Sequence, residues 1–240
     1  MQPCLRSLRR DGRDVWLGSE RDGRFAQFVV APSADTYRID STLSDAELAS
    51  FPCAYATAEN LIARAAVAAG NRVLVTGASG GVGSASVQLA VRRGAEVIAV
   101  AGSDKLADCL ALGAMRAVPS GASLRELLGA DAIDVVIDVV GGAAWPELLD
   151  VLRPGGRYAT AGAVAGPLVT LDLRTLYLKD LTLLGCTAHT AGVFEAVIGC
   201  IERGEIRPLV ARTYPLAELA AAQRDFAARR HVGKLVVMPP

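Results

Sequence analysis

From residue 72 onward, short apolar runs alternate with stretches whose apolar positions recur every three or four residues. The runs 72–77 (RVLVTG), 96–101 (EVIAVA), 134–140 (DVVIDVV), 156–162 (GRYATAG) and 181–187 (LTLLGCT) predict strands, with a shorter one at 117–119. The stretches 82–93, 105–112, 124–128 and 145–152 predict the helices between them. Gly94, Gly113 and Gly129 fall where those helices are expected to stop. The runs 97–101 and 135–140 are apolar on both faces, as strands buried in a parallel sheet are. Alternation of this kind, with right-handed crossovers, predicts an α/β protein with a doubly wound parallel sheet of the Rossmann type.

The flanks carry a different rhythm. Residues 24–32 (RFAQFVVAP) predict a strand entering a Pro-Ser turn, and 45–58 predict a helix leading into the first sheet unit. After Thr187 the pattern predicts a helix over 193–203, a strand over 210–214, a helix over 217–230 and a strand over 234–238. No internal repeat and no low-complexity segment interrupts this order.

Composition narrows the partners. Hydrophobic residues make up 52% of the 240 and charged residues 21%, enough apolar surface for a sizeable core. Lys+Arg and Asp+Glu are 25 each, a balance that argues against nucleic acid or an anionic membrane as the main partner. The five cysteines, at 4, 53, 109, 186 and 200, are odd in number and form no CxxC pair. Neither a disulfide framework nor a structural zinc knuckle is expected, and a reducing cytoplasm is. No apolar run reaches about 18 residues and the first residues hold no secretory apolar region, so no membrane segment is expected.

The sharpest motif is RVLVTGASGGVGSA, residues 72–85. A strand runs into glycines 77, 80, 81 and 83, and a helix starts directly after them. Glycine lets the backbone turn tightly and approach a pyrophosphate without a Cβ in the way, and the helix N-terminus offers free N–H groups and partial positive charge. Context makes the motif specific, because it lies between strand and helix as the mechanism requires. The segment GASGG is not a GxSxG nucleophile elbow, so serine-based acyl transfer finds no support.

Two families could own these letters. Thr76-Gly77-x-x-x-Gly81-x-Gly83 resembles the TGxxxGxG of short-chain dehydrogenases, but some seventy residues precede it. None of Tyr37, Tyr55, Tyr158, Tyr177 or Tyr214 is followed by Lys four residues on, as that family's proton-donating pair requires. The fuller match is elsewhere. VLVTGASGGVG (73–83), DVVIDVVGG (134–142), LRPGGRYATAG (152–162), LYLKDLTLLGCT (176–187) and HVGKLVV (231–237) resemble, in order, the medium-chain dehydrogenase/reductase superfamily in its quinone-oxidoreductase and zinc-alcohol-dehydrogenase branches. Upstream, GRFAQFVVAP (23–32) and LSDAELASFPCAYATAENL (43–61) continue the resemblance.

That resemblance implies a division into 1–50, a remnant of a GroES-like catalytic domain, 51–189, the Rossmann dinucleotide-binding domain, and 190–240, the return to the catalytic domain. Most of the GroES-like domain, which in the family supplies much of the substrate pocket and two of three catalytic-zinc ligands, has no counterpart in these 240 residues. Cys53 resembles the third such ligand, a relic without companions. Zinc needs three protein ligands with one open position, and His189 and His231 fit no missing-ligand motif, so zinc is not expected.

Backbone N–H groups of Gly77, Ser79, Gly80, Gly81, Val82 and Gly83 are expected around the pyrophosphate. At the end of the second strand, where NAD enzymes place an acid for the ribose 2′-hydroxyl, the sequence reads Ala101-Gly102-Ser103-Asp104-Lys105. Small residues stand there, and Ser103 and Lys105 are placed to meet a 2′-phosphate, so NADPH (NADP) is the expected cofactor; Asp104 is the one acid nearby. The resemblance places Thr57, Val139, Ala161, Gly162 and Ala163 around the nicotinamide. Asp138, a charge inside an apolar strand, needs hydrogen-bond partners and is either structural or ribose-binding. The implied activity is oxidoreduction between NADPH and a carbonyl, enone or quinone, with no residue standing out as proton donor. A coenzyme-binding module without turnover is the alternative. The apolar edge run 181–187 predicts a homodimer, as family members pair there.

Overall fold

The computed structural model describes residues 2–3, 16–189 and 192–240; Cys4 and the other early positions lie outside these. The backbone forms two compact units, residues 57–187 and residues 1–56 with 188–240.

In the second of these, β1 (Gln2–Pro3) pairs antiparallel with β2 (Thr36–Tyr37). Helix α1 (Asp45–Ala49) begins with a capping box, in which the Ser44 hydroxyl and the Glu47 backbone and carboxylate satisfy each other. The sequence predicts one helix over 45–58, yet the chain makes two, because α2 (Phe51–Arg64) restarts after Ser50. Pro52 has no N–H to continue α1 and is tolerated only in a first turn, so the helix must begin anew there. The strand expected over 24–32 does not form: among the described residues no strand pairs with it, and Phe28 and Val30 stand 84% and 90% exposed. An apolar β-like run without a ladder partner has nothing to fix it as a strand.

Residues 57–187 build the expected sheet. Its elements are β3 (Arg72–Val75), α3 (Gly81–Arg92), β4 (Glu96–Ala101), α4 (Leu106–Ala111), β5 (Arg116–Pro119), α5 (Leu124–Leu128), β6 (Ile133–Asp138), α6 (Trp145–Asp150), β7 (Leu152–Thr160), α7 (Leu173–Leu178) and β8 (Thr182–Gly185). All six strands are parallel, in the order β5-β4-β3-β6-β7-β8. The chain winds outward from β3 in one direction, then returns to start again at β6. That reversal makes the β3/β6 crevice a topological switch point, the place where open α/β sheets bind ligands.

Both sheet faces are covered, which is why the central strands read as continuous apolar runs. On one face Leu74, Ile98, Val136 and Tyr158 join Trp145, Leu148, Leu149 and Leu152 in one core. Val73, Val75, Val97, Ala99, Val135 and Ile137 alternate with them and are equally buried. Helix α3 packs on β3 and β4, and Glu59 of α2 closes an ion pair with Arg93 at the end of α3. Gly94 and Gly113 follow α3 and α4 with φ of +79° and +97°, the left-handed geometry expected of helix stops. At the N-terminal edge of the sheet Asp134 accepts from the Arg72 backbone at 2.7 Å and from Arg153 Nε at 2.5 Å, tying the starts of β3, β6 and β7.

The chain ends in the other unit. Helix α8 (Val193–Glu202), β9 (Val210–Pro215), α9 (Leu219–Ala228) and β10 (Lys234–Met238) follow, and β9 pairs parallel with β10. Phe194 meets the Tyr37 ring edge-on at 5.4 Å, and the Tyr55 hydroxyl donates to the Arg207 carbonyl at 3.0 Å.

Candidate functional site

The glycine turn leaves β3 at Thr76 and enters α3 at Gly81. Gly80 is the N-cap and makes no side-chain cap; the first helical bond runs from Ser84 N–H to Gly80 O at 2.8 Å. The N–H groups of Gly81, Val82 and Gly83 therefore have no partner inside the helix and point out of its positive end. The turn is closed on itself, with Gly80 N–H donating to Gly77 O at 2.9 Å. A Cβ on Gly83 would lie 2.0 Å from Gly77 O, and one on Gly77 would meet the Val139 and Val140 side chains at 3.2 Å. Sequence at these positions is dictated by backbone packing, and the turn sits directly on the β3/β6 switch point.

Two loops wall the other side of this edge. Residues 161–166, after β7, run beside 139–142, after β6: Val164 and Ala165 N–H donate to Val139 and Val140 O at 3.4 and 2.8 Å, and Gly142 N–H to Gly166 O at 3.0 Å. A Cβ on Gly162 would meet Val139 O at 3.0 Å. Val139, Ala161, Gly162 and Ala163 are thus brought together at the C-terminal ends of β6 and β7. Ala163 is exposed and the other three half-buried. A cavity of about 290 Å³, lined by Trp145, Tyr158, Gly162, Ala163 and Leu183 among others, opens beside them.

Asp138, fully buried at the end of β6, lies between the turn and the loops. Its carboxylate accepts from Thr76 Oγ1 and Tyr158 OH, each at 2.5 Å, and from the N–H groups of Val140 at 2.9 Å and Gly141 at 3.1 Å. Both oxygens are occupied by protein donors, which decides its role as structural. Burial, and next the hydrogen bond to Asp138, push the Tyr158 hydroxyl well above the ordinary tyrosine range. Thr76 and Tyr158 were missed by sequence reasoning. A charge inside an apolar strand flags a buried network, but its partners depend on strand register, which sequence does not print.

At the end of β4, Ala101 is buried and Gly102 leads into the 3-10 turn Ser103–Lys105. Ser103 and Asp104 are exposed and Lys105 half-buried. Asp104 Oδ1 lies 2.8 Å from where a Cβ on Gly102 would sit, so the carboxylate folds back over the strand end. Thr57 is half-buried in α2. Cys53 is an exposed free thiol, and among the described residues no group of three His, Cys, Asp or Glu side chains could hold a metal ion. The donor set required for a catalytic zinc is thus not met by these residues. The His231 and Phe226 ring centroids lie 5.9 Å apart, with the ring planes tilted by 33°.

Comparison with known proteins extends this geometry. A family model for zinc-binding dehydrogenases matches residues 81–203. Acryloyl-coenzyme A reductase of Metallosphaera sedula is 32% identical over 236 residues, covering 95% of this chain and 70% of that protein. The chain belongs to the medium-chain dehydrogenase/reductase superfamily. Among solved superfamily structures, a Sinorhizobium meliloti 1021 protein provisionally described as an alcohol dehydrogenase matches with a TM-score of 0.91 and 49% identity, over 96% of this chain and 66% of that one. A 2-octenoyl-CoA carboxylase reductase solved with NADP and 2-octenoyl-CoA matches at 0.88 and 26%, over 95% of this chain and 57% of that one. The chain spans about two thirds or less of these two structures' lengths, and only 9% of a matching spectinabilin polyketide synthase system protein of Streptomyces orinoci.

Proposed function

We propose that this chain binds NADPH at the C-terminal edge of its six-stranded sheet and serves hydride transfer between that coenzyme and a carbonyl, enone or quinone. The observation that carries the reading is the uncapped helix start at Gly81, behind a turn in which Gly83 has no room for a Cβ. A pyrophosphate suits such a cradle, because free N–H groups and the helix dipole both favour an anion. In this reading Gly77, Ser79, Gly80, Gly81, Val82 and Gly83 hold the pyrophosphate through their backbone. Ser103 and Lys105 meet the 2′-phosphate, while Thr57, Val139, Ala161, Gly162 and Ala163 border the nicotinamide.

The nicotinamide supplies the redox chemistry when bound. The chain's own part is to orient and to keep water out. Small side chains at 139 and 161–163 leave room for a flat ring and offer backbone N–H and C=O groups for a carboxamide, and no titratable side chain among them competes for protons. The segments 1–50 and 190–240 are read as parts of a GroES-like catalytic domain, and two copies are read as pairing through β8.

One observation favours a second coenzyme. Asp104 folded over Gly102 is an acid at the end of β4, and it could accept a ribose 2′-hydroxyl, which would select NADH. Fluorescence titration with both coenzymes decides between them. Tighter NADPH binding, weakened selectively by Lys105→Ala, supports the proposal; equal or tighter NADH binding transfers the site to Asp104. Reduction assays with enone and quinone acceptors then separate an enzyme from a coenzyme-binding module without turnover.

A further inference from the structure

We propose that Asp138 is a positioning residue: with Thr76 and Tyr158 it forms a buried strut that holds the nicotinamide-side loops in register with the phosphate turn. The inference rests on the coenzyme reading above and assigns to that site three residues that touch no ligand in it.

The four donors to Asp138 come from three parts of the edge. Thr76 is the last residue before Gly77, Val140 and Gly141 belong to the loop after β6, and Tyr158 stands on β7. Thr76 Oγ1 in turn accepts from Val139 N–H at 3.2 Å, so one hydroxyl contacts both the carboxylate and the loop. The strut continues through the backbone, since Ala161 N–H donates to Asp138 O at 3.3 Å and Ala165 N–H to Val140 O at 2.8 Å. Every position assigned to the nicotinamide side, apart from Thr57, therefore lies on or next to a segment that Asp138 fixes.

Burial alone would favour an aliphatic residue here, as at the neighbouring Val136 and Ile137. A carboxylate fully supplied with donors instead specifies one arrangement of the groups around it, because every alternative leaves a charge or an N–H unpaired. Tyr158 keeps its proton through the working pH range and so remains a donor. The hydrogen bonds that make up the strut join Thr76, Val139, Val140, Gly141 and Tyr158 to one another and to Asp138, and Ser103 and Lys105 are not among them. Breaking it should loosen the nicotinamide half of the site and spare the adenine half.

The experiment compares whole coenzyme with a fragment lacking nicotinamide. NADPH and 2′-phospho-ADP-ribose are titrated against wild type, Thr76→Val, Thr76→Ser and Tyr158→Phe, with thermal melts in parallel; NADH and ADP-ribose replace them if NADH binds more tightly. In Thr76→Val and Tyr158→Phe the advantage of whole coenzyme over fragment should fall about tenfold, as expected for one lost bond to a charged group, with fragment affinity unchanged within about twofold. Thr76→Ser keeps the hydroxyl and should keep the advantage. If Thr76→Val does not fold, Tyr158→Phe against Thr76→Ser carries the comparison. Equal losses for whole and fragment, or an advantage kept in both hydroxyl-deleted variants, would overturn the strut while leaving the coenzyme reading intact. A wild type that binds neither coenzyme overturns both.

Discussion

A Cβ placed on Gly83 would stand 2.0 Å from the carbonyl oxygen of Gly77, and 2.7 Å from the Cα of Ala78, so the first turn of α3 rests on the bare backbone of the preceding loop. Alanine cannot be accepted at 83 unless the turn opens. Gly83→Ala should abolish measurable coenzyme binding and cost about 1–3 kcal/mol of stability, the range for overpacking. Gly80 is the internal comparison, because a Cβ there meets only Gly77 O, at 3.3 Å, a much milder approach than at Gly83. Gly80→Ala should lower the melting temperature less. Coenzyme titration and thermal melts check both, and wild-type binding by Gly83→Ala would contradict the cradle.

Asp134 works at the opposite edge of the same sheet. Burial raises its pKa, but the Arg72 N–H, the Arg153 hydrogen bond and the nearby Arg153 and Arg157 charges outweigh that, and the net direction is down. A depressed pKa means stability that is fully present above the ordinary value of 3.8 and lost as pH falls through the folded-state value. Asp134→Asn should therefore destabilise at pH 7 by about 1–2 kcal/mol, the scale of a hydrogen bond to a charged group reduced by solvent screening at the half-exposed Arg153. The gap between variant and wild type should close below about pH 4. Urea melts across pH measure it, and a pH-independent gap would mean the ion pair contributes nothing. Coenzyme binding should be unaffected.

How much of this was legible depended on whether a residue's reason is local. The alternation of apolar runs and helical stretches marked the six strands, and the spacing of Gly77, Gly80, Gly81 and Gly83 marked the turn, because backbone geometry imposes both on nearby letters. The strand expected over 24–32 failed for the converse reason: Phe25, Phe28 and Val30 look β-prone, but a strand needs a partner that local sequence cannot name. The break at Ser50 is written in Pro52, but the apolar pattern continues across it and masks it. Asp138 was visible as an anomaly, yet Thr76 and Tyr158 join it across 62 and 20 residues of sequence, and only the register of β3, β6 and β7 brings them there.

The sheet ends at β8, whose outer edge has no ladder partner among the described residues. Apolar side chains gather in the neighbouring segment, with Leu168 91%, Leu173 64%, Tyr177 62% and Leu178 70% exposed. An unpaired edge beside such a surface tends to pair with a second copy. Light scattering at micromolar concentration should report a dimer. Thr182→Lys, which sets a charge at an exposed position of the edge strand, should shift it toward monomer while coenzyme binding persists. A wild-type monomer would refute the interface.

Catalysis offers the test with the clearest opposite outcomes. Oxidising an alcohol requires its hydroxyl proton to be removed, and zinc does this by stabilising the alkoxide as a Lewis acid. Cys53 is exposed and, among the described residues, belongs to no group able to hold a metal. Enone or quinone reduction asks less, since the acceptor is already electrophilic and needs chiefly alignment. Activity should favour such acceptors, be insensitive to chelators, and survive Cys53→Ser within about twofold, too small a change to signify a lost transition-state contact. Thr57 is the contrast. In the proposed site it borders the nicotinamide, so Thr57→Leu should weaken coenzyme binding and slow turnover whatever the metal content. Chelator-sensitive ethanol oxidation that disappears in Cys53→Ser would reverse the assignment, making Cys53 a ligand and the site a zinc centre.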